Sequence, residues 1–263
     1  MQLVLDFAEP YHHGHDLSSE MAPWTRGLRT GLWGLLARRA SRGCLDWACS
    51  LPGLRYPILM KVPPYWNHAK AHLRASDPIL AAVIDAHEEP PLRSKGRVFE
   101  TLVHAIVGQQ ISAKAASAVW GRLVALLKAV TPEQISRQPV AALRGVGLSG
   151  RKVEYIKGLA DNARWLDTLD WTELDDDAVR KKLVSLRGVG PWTAEMVLIF
   201  TLLRPDVLPL GDIGVIRAVE QLYAGGASLT KDKVAEIAAS WAPYRTVGVW
   251  YLWRHIDADP VEY

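Results

Sequence analysis

Two clusters in this sequence have residue types and spacing that could do chemistry together. One is Leu208-Pro209-Leu210-Gly211-Asp212-Ile213, where an apolar stretch breaks at Pro and Gly and sets a carboxylate at the start of a helical pattern. The other, ending twenty-two residues upstream at Gly190, is Leu186-Arg187-Gly188-Val189-Gly190, followed by Pro191-Trp192-Thr193-Ala194. Glycine tolerates positive φ and lets another backbone approach closely. Val189 between the two glycines can tuck under the turn, and Pro191 can open a helix at no hydrogen-bond cost. The free amides of such a helix start bind phosphate through their N–H groups and the macrodipole. A contact of that kind reads little beyond the backbone of a polymer. Each cluster alone has a plain structural explanation. The glycine turn can simply join two helices, and Asp is a favoured N-cap. The conjunction at this interval is much rarer, and it points to a carboxylate working beside a phosphate-binding turn.

The elements that must position these residues read as helices almost throughout. Val98, Phe99, Leu102, Val103, Ile106 and Val107 recur as apolar pairs every four residues, and Ala115, Ala116, Val119, Trp120, Leu123, Val124 and Leu127 repeat the pattern. Thr131-Pro132-Glu133-Gln134 combines a capping Thr, Pro at the first helical position and Gln three residues after the cap. Glu195 is the sole charge between Trp192 and Leu203, so that helix is expected to be buried nearly all round. Val215–Leu222 and Val234–Trp241 supply two more helices. Leu-Arg-Gly-Val-Gly also occurs at 143–147, which predicts two helix–turn–helix hairpins in one bundle. Strand-like alternation is confined to Leu3, Leu5 and Phe7.

The fold class is therefore all-α, with residues 1–63 read as an N-terminal extension and 64–263 as the core. Met60 directly precedes the first well-patterned stretch, which points to a natural start there or nearby. The chain lacks a run of about 18 apolar residues, so no membrane span is expected. The first twenty residues carry no Lys or Arg and do not read as a secretory signal. With Cys44 and Cys49 as its only cysteines, the chain fits a reducing cytoplasm. Net charge is +3, but it is unevenly spread: Pro91–Lys157 holds eleven Lys or Arg against three acids. Such a stretch suits one face for a polyanion, or an ordinary solvated surface. His12, His13 and His15 could hold a metal, but a role is not assigned to them, and metal and cofactor are both expected to be absent.

Four motifs in order carry a resemblance to a known family: Phe99-Glu100-Thr101-Leu102-Val103-His104-Ala105-Ile106-Val107-Gly108-Gln109-Gln110-Ile111-Ser112, the Gly188–Gly190 hairpin, Pro209–Asp212, and Trp241-Ala242-Pro243-Tyr244-Arg245 with the Trp-rich helix after it. From Tyr65 to Trp253 the chain resembles the helix-hairpin-helix DNA glycosylases, above all their 3-methyladenine DNA glycosylase II branch. The resemblance implies a two-lobed all-α bundle with the active site in the cleft between lobes. It implies double-stranded DNA containing alkylated bases as partner, and a target nucleotide rotated out of the stack, as base chemistry within a duplex requires. Asp212 matches the family's catalytic Asp, which stabilises positive charge on the sugar as the N-glycosidic bond breaks. Trp192 and Trp253 match aromatic pocket positions. Met196 and Ile213 stand where better-known relatives carry Tyr, so the pocket wall beside Asp212 is less aromatic here. Gln109, Gln110, Ser112, Arg187, Gly188, Val189, Gly190 and Thr193 fall on the DNA-contacting motifs. Gln110 takes the position of the wedge that fills the gap left by the extruded base, although a hydrogen-bonding Gln elsewhere in the fold would look the same.

Two absences narrow the reaction that the resemblance implies. Members with lyase activity carry a Schiff-base Lys two residues after the hairpin's second Gly; here that residue is Trp192. Members with an iron–sulfur cluster use four C-terminal cysteines; this chain has none after Cys49. The expectation is a monofunctional, monomeric glycosylase acting on alkylated purines. A glycosylase for uracil or an oxidised purine, and a helix-hairpin-helix DNA-binding protein without catalysis, remain as alternatives.

Overall fold

The computed structural model describes residues 61–87 and 89–257. The strand-like Leu3–Phe7, the His12–His15 cluster and the rest of the first sixty residues lie outside them. The helices are α1 Trp66–Ser76, α2 Pro78–Ala86, α3 Val98–Gly108, α4 Ala113–Leu127, α5 Pro132–Arg137, α6 Val140–Gly145, α7 Gly150–Asp161, α8 Ala163–Thr168, α9 Asp176–Val184, α10 Pro191–Phe200, α11 Ile213–Ala224, α12 Lys231–Ile237 and α13 Arg245–Ile256. Short 3-10 turns occupy Trp171–Glu173 and Ala238–Trp241. Among the described residues there is no β-strand; Lys61 and Ser94 form one isolated bridge.

Local chemistry sets the helix starts. Thr131 Oγ1 accepts from the Gln134 amide at 3.3 Å, with Pro132 opening α5. Ser112, Ser149, Asp175 and Thr230 cap α4, α7, α9 and α12 in the same way. Apolar periodicity sets the faces: α3 buries Phe99 and every residue from Thr101 to Val107, and α10 buries seven of its ten residues, with Glu195 half-buried. The helix expected over Val234–Trp241 is split. α12 ends at Ile237 and tightens into the 3-10 turn, which seats Trp241 fully buried with its indole N–H donating to Asp77 at 2.7 Å.

The principal packings fall into two sets. α3 packs on α4, α7, α8 and α10, with α5, α6 and α9 joined to that set. The other set is α1, α2, α11, α12 and α13. This is the two-lobed bundle that the motifs imply. One continuous apolar core runs through both sets. Phe200 of α10 joins them, stacking on Trp253 of α13 with centroids 5.5 Å apart and meeting Trp250 edge-on at 6.4 Å.

Both hairpins form, but in different registers. In the second, α9 ends at Val184 and Gly188 takes the left-handed φ of +87°. In the first, α6 runs on through Gly145 and the left-handed residue is Gly147, at +104°. Gly147-Leu148-Ser149 therefore corresponds to Gly188-Val189-Gly190, and the repeated letters are out of step with the repeated structure. The preceding helix decides this, because the sign of φ must reverse only after its last turn.

Candidate active site

Asp212 stands where the two helix sets meet. It is the N-cap of α11, and its Oδ1 accepts from the Val215 amide at 2.9 Å. The same oxygen accepts from Trp253 Nε1 of α13 at 3.1 Å. Oδ2 accepts from Trp192 Nε1 of α10 at 2.7 Å. A carboxylate offers about four acceptor sites, and three are taken, which leaves one on Oδ2. The carboxyl plane is thus fixed by two indoles and a helix terminus, whose positive dipole end lies at the negative group. Both indoles are half-buried. Trp253 has Phe200 against one face. The Trp192 ring reaches the end of α3, where a Cβ on Gly108 would lie 3.9 Å from its Cη2. Gly214 completes the floor, since a Cβ there would come within 3.0 Å of Asp212 Oδ1.

Glu195, one helical turn beyond Trp192, is raised to about 7, first by burial and then by the Asp212 charge, against the pull of Arg180 and Lys231. The other two residues expected in the pocket lie differently. Met196 is 1% exposed and belongs to the core beneath the site, so it offers no surface to a base. Ile213 is 66% exposed beside Asp212.

The residues expected to contact DNA divide into two kinds. Gln110, Ser112 and Arg187 are exposed, and Gly188 and Gly190 are partly so. Arg187 pairs with Glu154 at 2.8 Å, but both side chains are more than half exposed, so the guanidinium is only loosely held. Val189 is buried under the turn. Thr193 is 1% exposed, and Gln109 Nε2 donates to its Oγ1 and to the Gly188 carbonyl, each at 2.9 Å. These three hold the hairpin from behind instead of offering a polar group to a duplex. The helix that Gly190 opens has no side-chain cap bond, so no side chain takes up its first amides; the matching helix in the first hairpin is closed by Ser149, which accepts from the Lys152 amide at 3.3 Å.

The basic stretch is partly turned inward. Lys152 Nζ donates to the carbonyls of Val107 and Gln109, both at 2.8 Å. Lys157 Nζ donates to Ser136 and Gln138 carbonyls, and Arg122 Nε to the Val146 carbonyl at 2.8 Å. Both lysines that follow the first hairpin are thus spent on helix ends, while Arg144 and Arg151 are exposed. Phe200, Gly214, Glu195 and Lys152 are the neighbours that sequence reasoning missed. The Asp-Ile-Gly run at 212–214 and the lone charge of α10 were the available signals.

Residues 103–243 match the model of the HhH-GPD superfamily of base excision DNA repair proteins, and that span is more than half of the chain. The chain belongs to this superfamily. It is 32% identical over 166 residues to DNA-3-methyladenine glycosylase 1 of Schizosaccharomyces pombe, covering 61% of this chain and 73% of the relative. A crystal structure of a Bacillus halodurans DNA-3-methyladenine glycosidase superposes with a TM-score of 0.58 at 38% identity, over 72% of this chain and 89% of that one. The S. pombe 3-methyladenine DNA glycosylase in complex with abasic DNA gives 0.64 at 28% identity, over 71% and 95%. The hairpin, Asp212 and both indoles' partners within residues 103–243 lie inside the HhH-GPD match. Trp253, which lies beyond it, is tied to the site by its bond to Asp212.

Proposed function

We propose that this chain is a monofunctional DNA glycosylase that rotates alkylated purines out of double-stranded DNA and hydrolyses their N-glycosidic bonds, leaving an abasic site. Residues 64–263 form its catalytic core and 1–63 an extension, and it acts as a cytoplasmic monomer. The observation that carries the reading is the Asp212 carboxylate, fixed at a helix N-terminus between the indoles of Trp192 and Trp253. The relatives' names supply the substrate class, alkylated purines of the 3-methyladenine type.

Three engaged acceptor sites hold the Asp212 carboxylate in one orientation. As the C1′–N bond breaks, electrons leave with the base and positive charge grows on the sugar. A preorganised anion stabilises that charge without having to reorient. Water then adds at C1′ and gives up a proton; a cationic base leaves as the neutral purine, so that proton goes to solvent, whereas a neutral base takes one up as it leaves. Alkylated purines suit this mechanism, because an electron-poor or cationic base is already a good leaving group and stacks on indole faces. Trp192, standing where a lyase needs Lys, leaves no amine to form a Schiff base.

The test is Asp212→Asn. Asn is as good an N-cap as Asp, so the fold should hold and binding to an abasic duplex should stay near wild type. Excision should fall by about 10² or more, measured under single-turnover conditions on duplexes carrying one methylated purine, one uracil or one oxidised purine. Unchanged excision in the variant would overturn Asp212, and a wild type active on uracil alone would overturn the substrate class.

A further inference from the structure

We infer that Lys152 is a positioning residue for base extrusion: from α7 it fixes the end of α3, and so holds Gln110 in register with Asp212. The inference rests on the glycosylase reading above and adds a residue remote from the reacting atoms.

The C-terminal end of α3 is closed by its own backbone and by a side chain from another helix. The Gln109 amide closes the last turn on the Ala105 and Ile106 carbonyls, while the Val107 and Gln109 carbonyls point onward. Lys152 Nζ takes both of these at 2.8 Å. A cation at the negative end of a helix dipole is favourably placed, and two charge-assisted bonds offset much of the water it gives up. That desolvation holds its pKa below the usual lysine range. On the other side of the same turn, the Gln109 side chain is tied to Gly188 and Thr193. The next residue, Gln110, is exposed with φ at +58°. A non-glycine residue keeps that conformation only where its surroundings impose it. The Ile111 amide closes a turn across Gln110 onto the Gly108 carbonyl at 3.4 Å, and the Lys152 ammonium and the Gln109 side chain anchor that turn to α7 and to the hairpin. The Trp192 ring spans from the end of α3 to Asp212, so the exposed turn and the carboxylate share one rigid frame.

α7 also fixes the hairpin. Tyr155 packs beneath Gly188, where a Cβ would fall 2.2 Å from its ring. One helix thus sets the distance between the hairpin and the Gln110 turn. A duplex gripped at the hairpin meets Gln110 at a fixed offset, as a residue that occupies the gap beside an extruded nucleotide requires.

The test separates extrusion from chemistry. Lys152→Met keeps the aliphatic stem and removes the donors. Single-turnover excision is measured at saturating protein on the methylated-purine duplex, and on the same lesion inside a small unpaired bubble, where extrusion costs little. The expected result is a loss of about tenfold or more on the paired duplex. The bubble substrate should stay within about threefold of wild type, and Lys152→Arg should recover most of the paired loss. Equal loss on both substrates, or no loss on the paired one, overturns the inference. If thermal melting shows that Lys152→Met does not fold, Lys152→Gln, which keeps one donor, carries the same comparison. Failure of the wild type on both substrates would sink the glycosylase reading instead, so the two outcomes stay distinct.

Discussion

An N-cap and a charge-stabilising carboxylate ask compatible things of one side chain, and Asp212 meets both demands. Its capping bond to Val215 was legible from the Gly-Asp break before a helical pattern. Its indole partners were not, because bonds spanning 20 and 41 residues leave no trace in local spacing. Glu195 shows the same limit: as the single charge on a buried helix it was visible, but its closeness to Asp212 was not. A carboxyl raised from 4.5 to about 7 keeps its proton in the fold above the pH at which the unfolded chain loses it. Its contribution is therefore fully favourable below about 4.5, and stability is lost as pH rises from there through 7. Glu195→Gln removes that loss. Allowing for solvent screening, the variant should gain about 1–2 kcal/mol over wild type at pH 8 and almost nothing at pH 4.5. Thermal melting of both proteins at the two pH values checks this, and an equal gain at both would mean that titration is not the cause.

At the scale of elements, the hairpins teach the most. The repeated Leu-Arg-Gly-Val-Gly made two helix–turn–helix units legible, yet reading the copies letter for letter misplaces the first turn by two residues. Which glycine turns left-handed depends on where the incoming helix stops, and five letters do not contain that information. The second hairpin's glycines also separate cleanly by role. Gly188 is required by the fold, with φ of +87° and Tyr155 directly beneath it. Gly188→Ala should destabilise by about 2–5 kcal/mol, from backbone strain and overpacking together. Gly190 has ordinary φ and open space around its Cβ position. Gly190→Ala should change stability by less than about 0.5 kcal/mol. It should nevertheless weaken duplex binding severalfold, because the methyl group projects where a phosphate would approach the α10 amides. Urea unfolding and fluorescence anisotropy measure the two effects. A Gly190→Ala protein that binds DNA as tightly as wild type would remove α10's N-terminus as the anchor.

At the scale of the whole molecule, apolar periodicity foretold the all-α class, and the two-lobed grouping followed from the resemblance. What ties α2, α11 and the 3-10 turn together was hidden. Asp77, 7% exposed, accepts from the Ile79 and Leu80 amides at 3.0 Å, and from Tyr223 Oη and Trp241 Nε1 at 2.7 Å. Among the described residues its hydrogen-bond partners are four neutral donors from three elements. Asp77→Ala uncaps α2 and strands the part-buried Tyr223 hydroxyl and the buried Trp241 indole N–H, at a cost of about 3–5 kcal/mol. Asp77→Asn should cost clearly less, because its amide oxygen can keep the cap; equal costs for the two in urea unfolding would contradict this account. The charge surplus between Pro91 and Lys157 was a poorer guide, since composition counts a lysine on a surface and a lysine on a carbonyl alike. Lys152 is of the second sort, and with Tyr155 it makes α7 a gauge between two turns that are far apart in the chain. A gauge tolerates changes of surface but not of length. One residue inserted just ahead of Lys152 rotates the rest of α7 by about 100°, and carries both side chains off their targets in a single step.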